Sequence, residues 1–152
     1  MKTPLLDFQL ITDDYPYELL LLADETRNAI DKYLSSSDVF LAKLNNDNVG
    51  VFCLYHQDAE TVELKNIAVS EKYQRQGIGE QMITHIKKIC YPKYKRIIVG
   101  TADCGINQIR FYERNGFLKY DVRKNFFIDN YPKPIFENGI QLKDMQLLKF
   151  EF

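Results

Sequence analysis

The spacing of apolar residues changes several times along the chain, and each change marks an element. From Pro4 to Ile11 apolar and polar residues alternate, the period of a strand with one buried face. Asp13 or Asp14 can then cap a helix with Pro16 in its first turn, where a missing N–H costs little. Leu19, Leu22, Ala23, Ile30 and Leu34 predict two short helices broken near Asp24 and ended by Ser35-Ser36-Ser37-Asp38. Three β-rich runs follow: Val39 to Leu44, Val49 to Tyr55 and Thr61 to Val69. The polar stretches 45–48 and 57–60 between them have hairpin length, so these strands are expected to be antiparallel.

Beyond Val69 the period turns helical. Ile78, Met82, Ile83, Ile86 and Ile89 predict a helix over Gly77 to Ile89, with Lys87 and Lys88 near its negative dipole end and Pro92 just beyond. Arg96 to Gly100 reads as a strand inside a sheet covered on both faces. Ile106 to Asn115 predicts a short helix closed by Gly116 in the left-handed conformation. Phe117 to Val122 is a further strand, Lys124 to Asn138 a long connection, and Gln141 to Phe152 a closing strand. The predicted order is β-αα-βββ-α-β-α-ββ, an α/β chain with a mixed sheet and helices packed on it.

Composition narrows the picture modestly. With 152 residues, no linker and no repeat, residues 1–152 are expected to form one domain. A hydrophobic share of 45%, a charged share of 27% and a net charge of −1 describe a globular chain with no field toward nucleic acid or membrane. The N-terminus lacks the apolar run of a signal peptide, and Leu19–Ala23 is far too short for a membrane span. Cys53, Cys90 and Cys104 show no metal-binding spacing, and only His56 and His85 accompany them, so no metal site is expected. Free thiols in a reducing cytoplasm are the expectation, and His85 is expected at the surface.

The chemistry concentrates in Gln74-Arg75-Gln76-Gly77-Ile78-Gly79, between a β-rich run and an amphipathic helix. Such a junction aims unsatisfied N–H groups and the positive dipole end at one place, and two residues without Cβ let a phosphate approach. A P-loop is excluded because Glu80 stands where Lys-Ser/Thr would follow Gly79, and a dinucleotide fingerprint because Met82 replaces its third glycine. A two-glycine turn alone is equally consistent with a simple tight turn.

This loop, preceded by Leu64-Lys65-Asn66-Ile67-Ala68-Val69 and followed by Phe111-Tyr112-Glu113-Arg114-Asn115-Gly116-Phe117, closely resembles the GCN5-related N-acetyltransferase family. The resemblance spans Val39 to Val122, and the tail from Phe126-Phe127 to Asp144-Met145 is similar to a bacterial subgroup of that family. It implies a mostly antiparallel sheet with splayed central strands and helices on both faces. It implies acetyl-CoA as donor, its pantetheine arm along Ile67, Ala68 and Val69 and its pyrophosphate on the N–H groups of Gln74, Arg75, Gln76, Gly77, Ile78, Gly79 and Glu80. The strand ending at Val69 should part from the strand at Arg96–Thr101, with Tyr112 near the sulfur. One departure stands out: the asparagine many members place seven residues before the tyrosine is Gly105 here, and Asn107 is the nearest candidate, as a cofactor contact or as a cap or surface residue.

Two side chains are candidates for catalysis. Glu63 either acts as base, through one water, or pairs with Lys65 or a neighbouring strand's charge. Tyr112 either protonates the leaving thiolate or is a core tyrosine bonded to backbone. A covalent route through Cys53 or Cys104 lacks an activating histidine, and the resemblance implies direct transfer in a ternary complex. It also places the acceptor among the first helices and the 124–138 loop, where Phe126, Phe127, Tyr131 and Phe136 either wall a pocket or pack over the sheet. Glu137, Asp129 or Asp144 would attract a cationic amine, and a small amine or amino-acid-like acceptor is expected rather than a protein tail. A homodimer paired through the final strand is the expected assembly. The competing function is a non-catalytic acyl-CoA sensor, which would need neither Glu63 nor Tyr112; a phosphate-binding interaction domain lacks both motif and basic face.

Overall fold

The computed structural model describes residues 5–152, so Met1 to Pro4, including the start of the first expected strand, lie outside it. Strand β1 (Asp7–Ile11) is followed by helices α1 (Tyr17–Leu20) and α2 (Arg27–Leu34), then strands β2 (Ser37–Leu44), β3 (Asp47–His56) and β4 (Thr61–Val69). A 3-10 turn at Glu71–Tyr73 leads into α3 (Ile78–Cys90), β5 (Arg96–Ala102), α4 (Ile106–Arg114) and β6 (Leu118–Arg123). Helix α5 (Phe126–Asp129), the small hairpin β7 (Phe136–Glu137) and β8 (Ile140–Gln141), and β9 (Met145–Glu151) complete the chain.

Seven strands form one sheet in the order β1-β2-β3-β4-β5-β9-β6, antiparallel except where β4 meets β5. On one face Met82, Ile83 and Ile86 of α3 and Ile109 and Tyr112 of α4 pack over Phe52, Leu64 and Ile97. On the other, Leu20 of α1 and Ile30 and Leu34 of α2 cover Val39, Val51 and Ala68. The predicted stripe is buried at Ile78, Met82, Ile83 and Ile86 of α3 and at Ile30 and Leu34 of α2, but Ile89, Leu22 and Ala23 are exposed, and Leu20 takes the core place in α1. Gly116 takes φ +90 after α4, with its N–H bonded to the Glu113 carbonyl at 3.1 Å, as expected of a left-handed cap.

Several expectations are corrected. Pro16 precedes the first helical turn rather than lying in it, and neither Asp13 nor Asp14 caps α1. The working cap is Thr26, whose hydroxyl accepts the Ala29 N–H at 3.1 Å and opens α2. The closing strand begins at Met145, because Gln141 belongs to the β7–β8 hairpin inside the long connection. That last strand inserts between β5 and β6, so its hydrogen bonds are used on both sides. It cannot pair with a second copy; β1 and β6 are the open edges. His85 is half-buried rather than exposed, stacked on Phe8 at a ring separation of 3.9 Å, and burial lowers its pKa.

The feature that positions the site is the parting of β4 from β5. Their pairing runs from Thr61–Arg96 to Leu64–Val99 and stops, although β4 continues to Val69 and β5 to Ala102. The cause is local. Opposite β3 the register jumps from Cys53–Asn66 to Leu54–Leu64, leaving Lys65 as the extra residue of a bulge. A bulge bends and twists its strand. It also shifts the alternation of faces, so that Glu63 and Asn66, three residues apart, are both buried.

Candidate active site

Immediately after β4 the chain forms a donor cradle. The Gln74 side-chain amide donates to the Val69 carbonyl at 2.9 Å and fastens the loop to the strand end. Arg75 and Gly77 both adopt positive φ, +64 and +79, which turns successive N–H groups the same way. Gly77 is the residue before α3, and no side chain caps the helix. Among the described residues none accepts a bond from the N–H of Arg75, Gln76, Gly77, Ile78, Gly79 or Glu80. A row of free donors at a helix start is what a pyrophosphate requires. The two glycines differ in role. Gly77 supplies the left-handed turn, whereas a Cβ on Gly79 would meet the Phe111 ring at 3.2 Å, so its bareness serves the packing of α3 on α4.

Where β4 and β5 separate, a cleft of about 820 Å3 passes between them and is bordered by Val69, Ile67, Gly100, Gln108 and Tyr112. Past Leu64 the β4 backbone no longer pairs with β5, leaving its edge open to an extended amide-bearing chain. Tyr112 is 5% exposed and packs edge-on against Phe111 and Phe117. Its hydroxyl has no partner among the described residues, yet it is not among their sealed unpaired atoms, so it opens onto the cleft. Burial pushes its pKa up, keeping the phenol protonated at neutral pH. Asn107 is exposed on the first turn of α4 and does not border the cleft; Gln108, its neighbour, does. Nor is Asn107 a cap, since Gly105 holds that place.

Glu63 lies below the slot, its side chain 6% exposed. Arg123 grips both carboxylate oxygens at 3.2 Å, and Lys65 Nζ lies 3.4 Å away. Pairing with Lys65 was one of the two readings; the bidentate Arg123 was not foreseen. All three residues border the cleft and together leave one positive charge in its floor.

One wall of the cleft is aromatic. Phe126, Phe127 and Tyr131 form a cluster with Leu142 and Ala102, Phe127 stacked on Tyr131 at 6.0 Å, and all three rings face the cleft. These rings thus line the cleft and also pack on Ala102 at the end of β5. Phe136 is 62% exposed on its hairpin and plays no part. Of the three acidic candidates only Glu137 borders the cleft; Asp144 instead accepts the Asn125 N–H at 2.9 Å and pairs with Lys124. Asp24 and Glu25 were overlooked because a helix break carries no motif. Burial, then Glu137 and Asp24, raise the pKa of Glu25, which places three carboxylates on one rim. Asn66, 3% exposed, donates to the Leu20 carbonyl at 3.0 Å and to the Tyr33 hydroxyl at 3.1 Å. An amide oxygen turned toward the Leu20 carbonyl would set two acceptors face to face, so Nδ2 points there and Asn66 Oδ1 is left without a partner among the described residues.

Cys53 and Cys90 are buried, their thiols pushed up to about 12 and about 11 by burial, and Cys104 is half-buried. No group of three or more His, Cys, Asp or Glu among the described residues is placed to hold a metal. No helix there is long and apolar enough to cross a membrane.

The chain is similar to several known proteins. Residues 35–119 match the acetyltransferase (GNAT) domain. The uncharacterized N-acetyltransferase YvbK of Bacillus subtilis (strain 168) is 37% identical over 135 residues, covering 88% of this chain and 87% of its own. A GNAT family acetyltransferase from Elizabethkingia anophelis, solved with acetyl-CoA bound, is 46% identical with a TM-score of 0.93, covering 97% and 98% of the two chains. The IAA acetyltransferase of Bacillus cereus ATCC 14579 is 31% identical with a TM-score of 0.89, covering 97% and 99%.

Proposed function

The chain belongs to the GNAT acetyltransferase family, and from that premise we propose that it moves the acetyl group of acetyl-CoA directly onto a primary amine within a ternary complex. The observation that carries this reading is the break in pairing after Leu64 and Val99, which opens a slot bordered by the free β4 edge, by Tyr112 and by Gln74, where the donor cradle begins. The N–H groups from Arg75 to Glu80 take the pyrophosphate, the N–H expected from Gln74 being spent on the Glu71 carbonyl at 3.3 Å, and Ile67 to Val69 take the amide arm as an added strand. Acetyl-CoA supplies an activated acyl group with a thiolate leaving group. Tyr112, kept protonated by burial, gives that thiolate its proton.

The amine must be neutral to attack. The net positive floor of Arg123 and Lys65 against Glu63 disfavours an ammonium at the slot and favours the free base. With both oxygens of Glu63 held by Arg123, the geometry supports the pairing reading over the base reading, and the proton leaves through the open cleft. The acidic rim and aromatic wall favour a small amine with an apolar or aromatic body, and the free thiols suit a reducing cytoplasm.

A panel of primary amines supplied with acetyl-CoA tests this, following thiol release beside CoA binding. Release with at least one amine is expected. Tight CoA binding with no release from any amine would instead make the chain a sensor of acyl-CoA, and no CoA binding would overturn both.

A further inference from the structure

One carboxylate ties the acceptor side together. Asp24 Oδ1 accepts the Tyr131 hydroxyl at 2.6 Å and the Glu25 N–H at 2.7 Å, while Oδ2 accepts the Tyr33 hydroxyl at 3.1 Å. The Tyr33 oxygen in turn accepts the Asn66 amide, which sits on β4 just past the point where the strand leaves β5. The chain of bonds therefore starts in the 124–135 segment, passes through the α1–α2 connection and α2, and ends on β4. Both tyrosines are pushed upward in pKa, by burial first and also by Asp24, so both remain donors at neutral pH. Among the described residues no cation pairs with Asp24, so these donors are what hold its charge.

We propose that Asp24 is a positioning residue, fastening the aromatic acceptor wall to β4 through Tyr131 and Tyr33 so that acceptor and donor share one frame. This rests on the reading of that wall as the acceptor side of an acetyltransferase. It separates Asp24 from Glu25 and Glu137, which have rim positions but no such junction. An aspartate that only attracted a cationic amine would act through its charge; a fastening aspartate acts through its hydrogen bonds. Asn in its place keeps most of the bonds and removes the charge.

The test compares Asp24→Ala, Asp24→Asn and Tyr131→Phe with the parent chain. Hydrogen exchange of amides 124–135 and of α3 is read first, then the Kd for CoA, then KM and kcat with 2-phenylethylamine, a primary amine bearing a ring for the aromatic wall. In Asp24→Ala and Tyr131→Phe, exchange over 124–135 is expected to rise about tenfold and KM by a similar factor, the scale of one lost charge-assisted hydrogen bond. Exchange in α3 and the Kd for CoA stay within about twofold, and kcat changes less than KM. Asp24→Asn restores most of both effects. Unchanged exchange in Asp24→Ala overturns the proposal, as does Asp24→Asn behaving like Asp24→Ala, which would make the charge itself the recognition element. Parallel loss of protection throughout the chain also overturns it. Exchange and CoA binding need no acceptor, so a lack of turnover counts against acetyl transfer while the exchange result still decides the role of Asp24.

Discussion

Arg123 at the end of β6 reaches past β9 and β5 to grip Glu63 of β4 with two nitrogens, each 3.2 Å from a carboxylate oxygen. The pair braces the floor of the cleft where the strands stop pairing. Gly100 helps: any Cβ there would collide with Met145 Sδ, so Met145 can lie flat over β5 beneath the Arg123 side chain, 3.8 Å from its guanidinium. Replacing Arg123 by Met leaves Glu63 nearly buried with only Lys65. A loss of about 1–3 kcal/mol in denaturant unfolding is expected, moderated by the partial exposure of the arginine.

The same pair makes opposite demands on Glu63→Gln. A bracing carboxylate predicts kcat/KM lowered by a similar factor at every pH. A general base would give a loss concentrated at low pH, where free amine is scarce. The pH profile of the variant, measured between pH 6 and pH 9 as a range of about three units, separates the two, and a uniform reduction is expected.

Tyr112→Phe removes one hydroxyl that has no partner among the described residues and leaves the ring packing intact. Stability should change by less than about 1 kcal/mol. Single-turnover transfer should slow by about 100-fold, the lower end for a lost general acid. Parent-like transfer in this variant would remove Tyr112 from the chemistry.

Gly79→Ala tests which part of the loop is packing. Its Cβ would press on Phe111 at 3.2 Å, so a loss of about 1–2 kcal/mol is expected, recovered by adding Phe111→Leu, with CoA affinity returning alongside. Gly77→Ala has no such rescue, because the strain at φ +79 is in the backbone itself. Recovery of Gly77→Ala by the same second change would contradict this division.

The thiols give a pH-dependent signature. In the unfolded chain cysteines ionise near 9, whereas Cys90 and Cys53 in the fold are raised to about 11 and about 12. A raised pKa means the burial contribution is complete below pH 9 and is lost as pH climbs through these folded values. Melting temperature should therefore fall steeply on the alkaline side, and a thiol reagent at neutral pH should label Cys104 before the other two. Equal labelling of all three in the native protein would contradict their burial.

Much of this was legible in the sequence because it lies in local patterns. The stripe Ile78, Met82, Ile83, Ile86 needs only helical spacing, and Gln74 to Gly79 carries its own turn chemistry. The bulge at Lys65 was not legible, since Leu64-Lys65-Asn66 alternates as well as any strand, and only the pairing with Cys53 and Leu54 shows the extra residue. The insertion of β9 between β5 and β6 is a long-range choice, so the expected edge pairing of the last strand was mistaken. Arg123 and Asp24 have no motif around them. Their partners lie 60 and 107 positions away, and only folding brings them into contact.

In direct transfer the acetyl group crosses the slot between β4 and β5 with no stop on the protein. The most direct measurement of that crossing loads the protein with isotopically labelled acetyl-CoA in slight molar excess of enzyme, mixes it with an accepting amine, and follows the label by mass spectrometry through one turnover. Direct transfer requires the label to appear on the amine at the rate thiol is released, with none retained on the chain. Label trapped on Cys53 or Cys104, or thiol release with no acetylated amine, would contradict it.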